Sequence, residues 1–307
     1  MIGSVLKILF SFLIFPGFLF TAVVGLFLTW VDRKVSARIQ WRVGPPWFQP
    51  FADFFKLLSK ESTIPDGVPK IVFLGAPIVS LVGITIVAAM LGFMNLYPRS
   101  SFLGDLIVVV YFLAFIPIGI IIGGSASKNP LAVVGAAREM NLYFSYELPL
   151  LVSVVLAVVK THSIRIGEMI LYQQAHHPVL YSVSGVIAFL VALVAVQAKL
   201  GYAPFDIPDA EQEIMAGPYV EYSGVALALF KLTRAMTLFV MPVFLITIFW
   251  GGVRDLWAIP KFLLIVVLVI LIKNTNPRLR VDQALKFFWI GLGTASALGM
   301  ILALTGL

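Results

Sequence analysis

The stretch Lys199-Leu-Gly-Tyr-Ala-Pro-Phe-Asp-Ile-Pro-Asp-Ala-Glu-Gln-Glu-Ile-Met-Ala-Gly-Pro-Tyr-Val-Glu-Tyr-Ser-Gly224, followed by an apolar run carrying Lys231 and Arg234, decides the fold. Asp206, Asp209, Glu211, Glu213 and Glu221 fall within sixteen residues, although the protein of 307 residues has only fifteen carboxylates. On a soluble surface such a cluster is ordinary. Here the segments on both sides are apolar enough to cross a bilayer, so the carboxylates need a role.

Working outward, 60% of residues are hydrophobic and 12% charged, about half the usual charged fraction. Apolar windows of 18 or more residues recur, each long enough for a hydrocarbon core of about 30 Å. The class is therefore all-α: a single polytopic membrane domain over residues 1–307. Eight spans are expected at 5–30, 71–94, 103–127, 146–161, 179–198, 222–250, 259–273 and 284–306. The first is too long for a signal-peptide core and is expected to be retained.

Thirteen Lys and Arg residues fall in the loops at about 31–70, 128–145, 199–221 and 274–283 or, for Lys273, at a loop edge, against five on the other side. The positive-inside rule puts the thirteen in the cytoplasm and both termini outside. Topology thus accounts for the net charge of +7 without nucleic acid. The absence of cysteine excludes disulfides, a thiolate nucleophile and a self-contained iron–sulfur cluster. No metal-ligand spacing, phosphate-binding glycine loop or nucleophile–base pair is present, so no catalytic site is expected in this chain alone.

The first cytoplasmic loop carries Arg33, Lys34, Arg38, Gln40 and Arg42 before Gly44-Pro45-Pro46. Phe51, Phe54, Phe55 and Leu58 then recur at i, i+3, i+4 and i+7, with Asp53, Lys56 and Lys60 on another face. That spacing predicts an amphipathic interfacial helix and a platform for a soluble partner. Glu147 enters the fourth span and fits either the bundle interior or the headgroup level. In the acidic loop, Pro208 suits the first position of a short helix, on which Asp209 and Glu213 would share a face with Asp206 near its start. Crowded, partly desolvated carboxylates titrate nearer neutrality, as a proton relay requires; a solvated acidic loop that pairs with basic loops or binds a partner is the alternative. Lys231 and Arg234, the former about 15 Å along the sixth span, should pair with carboxylates or line water, and Glu221 and Glu147 are the candidate partners. Pro242 should kink that helix. Arg278 and Arg280 sit in a basic last loop able to close over the acidic one. Gly291, Gly293 and Gly299 read as close-packing positions.

Four blocks together resemble the family of subunit 1, also called the H subunit, of respiratory complex I and its hydrogenase relatives. They are Asp32 to Glu61, Ser145-Tyr-Glu-Leu-Pro149, Pro204 to Tyr222 and Pro277 to Gln283, in family order. The resemblance implies a membrane subunit that docks a peripheral redox arm and links electron transfer to proton or Na⁺ movement. It implies that Glu147, Asp206, Glu211, Glu213 and Glu221 match the family's acidic path, and that Arg38, Gln40, Arg42 and Asp53 face the peripheral arm. Asp209 stands where complex I members usually carry Glu, Asp32 replaces a Glu, and Thr233-Arg234 stands near a usual Glu-Tyr pair. The compact Gly44 to Pro50 segment resembles the branch of membrane-bound energy-converting nickel–iron hydrogenases and the archaeal sulfane sulfur reductase complex. For that branch the implied setting is a prokaryotic cell membrane. Ferredoxin-linked iron–sulfur and nickel–iron cofactors would be held by partner subunits, with antiporter-like membrane subunits alongside and no cofactor in this chain. A quinone-site subunit of a complex I-like dehydrogenase is the alternative. A free-standing ion transporter would show two similar halves, and no internal repeat is evident.

Overall fold

The computed structural model describes residues 9–306, apart from the side chain of Glu211. Residues 5–8 of the first expected span lie outside the described residues. The first apolar run, Leu9–Ile39, breaks at Phe15-Pro16-Gly17 and continues as α1, Phe18–Ile39. The remaining helices are α2 Gln49–Leu58, α3 Lys70–Leu96, α4 Asp105–Ala126, α5 Pro130–Thr161, α6 Ile166–Ala175, α7 Val183–Lys199, α8 Glu211–Ile214, α9 Gly224–Phe249, α10 Ala258–Thr275 and α11 Val281–Leu304. Among the described residues, seven helices are long and apolar enough to cross a membrane, and α7 is a shorter apolar helix of 17 residues.

Helix α9 is the hub. From Leu232 to Phe249 nearly every side chain is buried, whereas α10 and α11 leave most of theirs outside. A helix apolar all round sits in the middle of a bundle, and lipid or neighbouring subunits cover the outer ones. Gly25 lets α1 cross α9 closely: a Cβ there would lie 2.4 Å from the Ala235 carbonyl oxygen. Between α3 and α4, the Ser80 hydroxyl donates to the Ile116 carbonyl at 3.1 Å.

Several expected loops prove to be helix. The segment 128–145 is not a loop: Asn129 caps α5, Pro130 takes its first turn, and nothing from 131 to 145 breaks the ladder. Likewise α1 carries Arg33, Lys34 and Arg38 on its own extension before the irregular stretch 40–48. At 32 residues α5 is ~48 Å long, so it overhangs a ~30 Å core. The expected interfacial helix is present as α2. Pro208 does not open a helix; the acidic loop is irregular except for the four residues of α8 and a 3₁₀ turn at Gly217–Tyr219. Helix α9 runs through Pro242 to Phe249 without interruption. In α11 a π-helical stretch, Phe287–Leu292, precedes a last α-helical portion. Of the three glycines there, only Gly299 faces another helix closely: a Cβ added there would lie 3.2 Å from Leu156.

Candidate functional site: a charged vestibule and a buried ionisable series

Four segments distant in sequence meet at one end of the bundle. The end of α1, helix α2, the acidic loop and the link between α10 and α11 enclose an open vestibule of about 1600 Å³. Eight basic and six acidic side chains line it.

The loops interlock through ion pairs. Arg278 holds Asp206 with two parallel hydrogen bonds, Nε to Oδ1 at 3.0 Å and Nη2 to Oδ2 at 2.5 Å. The Leu279 amide donates to the Pro204 carbonyl at 3.0 Å, so the last loop does close over the acidic one. The hydrogen bond to Asp206 raises the pKa of Arg278 above the usual guanidinium value against a smaller opposing effect of burial. Lys273 reaches Asp32 at 2.6 Å and lies 4.4 Å from the centre of the Tyr202 ring, over which Arg234 also lies, at 5.4 Å. Burial, then the neighbouring Asp32 carboxylate, push the Tyr202 phenol well above its ordinary range. On the interfacial helix, Asp53 accepts from Arg33 at 3.0 Å and from Gln49 at 2.8 Å. Burial opposes ionisation of Asp53, but the two hydrogen bonds and the Arg33 and Lys231 charges prevail and hold its pKa below the ordinary value.

The expected pairings change. Arg234 joins Asp209 at 2.6 Å, not Glu221 or Glu147, and also donates to the Leu200 carbonyl at 3.1 Å and to the Gly201 carbonyl. Lys231 has no ion pair among the described residues and faces the vestibule. Glu213 pairs with Arg138 at 2.6 Å rather than sharing a face with Asp209. Glu221 accepts from Asn129 at 2.5 Å, beside the α5 cap. Proline and glycine keep the acidic loop open, so Asp206, Asp209, Glu213 and Glu221 each turn toward a different partner. Arg280 lines the vestibule, and Arg38 and Gln40 are exposed where α1 ends.

Below Asp209 and Arg234 the ionisable groups continue inward. A cavity of about 30 Å³ is lined by Glu139, Lys199, Asp209, Tyr219 and Arg234, room for about one water. Lys199 Nζ is fully buried, 3.1 Å from Glu147 Oε2 and 5.5 Å from the centre of the Tyr146 ring. Neither charged atom makes an aligned hydrogen bond, so the contact is an ion pair held by proximity. Asp209, Arg234, Glu139, Lys199 and Glu147 thus form one contiguous series from the vestibule into the bundle. This settles Glu147 toward the interior.

Glu139 and Lys199 were not among the site residues expected from sequence. Glu139 follows Arg138 in a segment read as a loop, and Lys199 counted only toward topology. The available signals were a lysine closing an apolar span, and a carboxylate eight residues before Glu147.

Residues 11–304 match the family model described as NADH dehydrogenase. The chain belongs to the complex I subunit 1 family. It is 35% identical over 275 residues to the H subunit of the NADH-quinone oxidoreductase of Geobacillus sp. (strain WCH70), covering 84% of this chain and 82% of that one. The corresponding H subunit of Dehalococcoides mccartyi (strain CBDB1) is 34% identical over 286 residues, 88% of this chain and 79% of that one. Among solved structures, a chain of the membrane-bound sulfane sulfur reductase, an archaeal respiratory membrane complex, superposes with a TM-score of 0.87. It is 28% identical, with 97% of this chain and 99% of that chain covered. This family member is accordingly a membrane subunit of an oxidoreductase complex, working with other subunits.

Proposed function

We propose that this protein anchors a soluble redox arm on its vestibule face and couples electron transfer there to proton or Na⁺ translocation, in a ferredoxin-linked complex of the hydrogenase type. The observation that carries the reading is the contiguous series from Asp209 to Glu147. Ionisable groups inside a membrane bundle are costly and mark ion or proton routes or their triggers. Redox chemistry at the vestibule would change the charge facing Asp209 and Arg234. Releasing Arg234 from Asp209 would leave a cation beside Glu139, one water-sized cavity from Lys199, and so favour a proton shift toward Glu147.

The iron–sulfur and nickel–iron groups belong to partner subunits, since this chain has no cysteine to hold them. Antiporter-like membrane subunits would complete ion transport. The motif face is cytoplasmic and both termini lie outside, by the loop charge asymmetry.

The test is the intact complex in liposomes, with Glu147→Gln and Glu139→Gln introduced separately. Redox turnover should persist in both while ion translocation per electron falls at least tenfold. Unchanged coupling in both variants would sink the proposal. A second reading, membership of a sulfane sulfur reductase, is favoured by the near-complete coverage of that structural relative. Stoichiometric nickel in the arm decides for the hydrogenase; a nickel-free arm reducing polysulfide decides for the reductase.

A further inference from the structure

Where α1 ends, the chain does something costly. Arg42 N donates to the Ala37 carbonyl at 2.7 Å and Trp41 N to the Arg38 carbonyl at 3.1 Å. This is the two-bond Schellman ending, whose left-handed position normally goes to glycine. Here Trp41 occupies it, at φ +59°. Its side chain is 99% exposed. A bulky aromatic in a left-handed conformation with no intramolecular contact contributes nothing to folding, so its use lies outside this chain.

The surroundings fix where Trp41 points. Trp30 Nε1 donates to the Pro45 carbonyl at 3.1 Å, fastening the loop to α1. Gly44, at φ +74°, folds the loop against Lys34 and Ala37; a Cβ added there would lie only 3.0 Å from the Ala37 Cβ. The indole is therefore presented on a rigid turn, which lowers the entropy lost on binding. From Arg33 to Phe48 there are four cations, Arg33, Lys34, Arg38 and Arg42, and no carboxylate. Trp41 lies nine residues beyond Asp32, which pairs with Lys273 in the vestibule wall. Seven of those residues are helical, ~10 Å of rise, and the overhanging start of α5 adds to the same raised rim. That position favours a protein partner over the headgroup layer.

We infer that Trp41 is the anchor of the arm-docking surface, seating in an apolar pocket flanked by carboxylates on the soluble partner. The inference rests on the docking role proposed above and adds the residue that dominates it. Interface energy concentrates in a few buried aromatic and arginine side chains, and Trp41 with Arg38 and Arg42 is such a set.

The test exploits the strain. Trp41→Gly restores the residue that the turn prefers, so the chain should melt at an unchanged or higher temperature. The same change should raise the concentration at which the soluble arm half-dissociates from the detergent-purified complex by about 30-fold. Trp41→Phe should retain most of the affinity. An arm held as tightly by Trp41→Gly as by the unaltered chain overturns the anchor assignment alone. An unaltered complex that carries no soluble arm overturns the docking role itself. Loss of bound phospholipid with the arm retained makes Trp41 a lipid contact and also overturns the assignment.

Discussion

The two ends of the bundle hold together by different chemistry. At the vestibule end, ion pairs link separate elements: Asp206 with Arg278, Asp209 with Arg234, Asp32 with Lys273. At the opposite end, the neutral amides of Gln173 and Asn95 link elements, beside the buried Asp105 carboxylate, which accepts from Ile166 N at 2.9 Å. Gln173 donates to the Ile248 carbonyl at 3.0 Å and accepts from Gly251 N and Val179 N at 3.1 and 3.3 Å. Asn95 donates to Thr247 and accepts from Val253 N. Between the two ends, α9 beyond Arg234 and α7 before Lys199 contain no Asp, Glu, Lys or Arg. Neutral amides hold one geometry whatever the charge state around them, whereas ion pairs can exchange partners when a proton arrives. One end is built to respond and the other to stay closed.

The sharpest way to break that contrast is to remove one partner of the innermost pair. Lys199→Met leaves Glu147 as an uncompensated carboxylate among apolar helices, and should cost about 3–5 kcal/mol of stability. Adding Glu147→Gln should restore much of the loss while leaving coupling abolished. Thermal unfolding of the purified complex, single variants against the double, measures both terms. Additive losses would mean that the pair is not a unit.

At the opposite end Gln173→Ala strips partners from two buried amides and two carbonyls at once, and should cost about 2–3 kcal/mol. It should leave ions moved per electron unchanged in complexes that remain folded, a readout separate from stability. A coupling defect there would show that the amide end also takes part in the response.

These contrasts were only partly legible in the sequence. Hydrophobic runs announced the crossing helices because a lipid-spanning segment must be apolar along its length. The amphipathic α2 was legible from the spacing of Phe51, Phe54, Phe55 and Leu58. The overhang of α5 was not, because Arg138, Glu139 and Asn141 look like loop residues although no breaker interrupts them. Partner choice was the least legible part. Arg234 and Glu221 are close in sequence, but the turn at Gly201 and the acidic loop bring Asp209 to Arg234 instead. Lys199 appeared to be a boundary charge because its partner lies 52 positions away in another helix.

Between those extremes, Arg278→Ala removes a half-buried two-pronged clamp and frees the last loop from the acidic one. The stability loss should be about 1 kcal/mol. The more telling signal is faster amide hydrogen exchange at Leu279, whose bond to Pro204 depends on that closure. Exchange unchanged from the unaltered chain would place the closure elsewhere.

The smallest effect lies at the rim, in the pair of Asp53 with Arg33. Both side chains are close to half exposed, so solvent screens the pair, and Asp53→Asn at neutral pH should cost no more than about 0.5 kcal/mol. The sign of its pH dependence is nevertheless definite. Asp53 titrates below the ordinary aspartate value of 3.8, so its contribution is fully present above that pH. It fades as pH falls through the lowered folded-state value, when the carboxyl takes up a proton and releases Arg33 and Gln49. The attachment of α2 to α1 should therefore remain intact at pH 5 and loosen only in strong acid. Glu168, at the opposite end, is lowered as well, chiefly by the Ser163 hydroxyl with help from Arg165 and against slight burial. A carboxyl-resolved NMR titration of both residues should find each below its ordinary value. Asp53→Asn should raise the titration point of no group at the opposite end, because two such rim pairs separated by the whole bundle share no field at physiological salt. A shift of Glu168 in that variant would mean that the closed end senses the charged one.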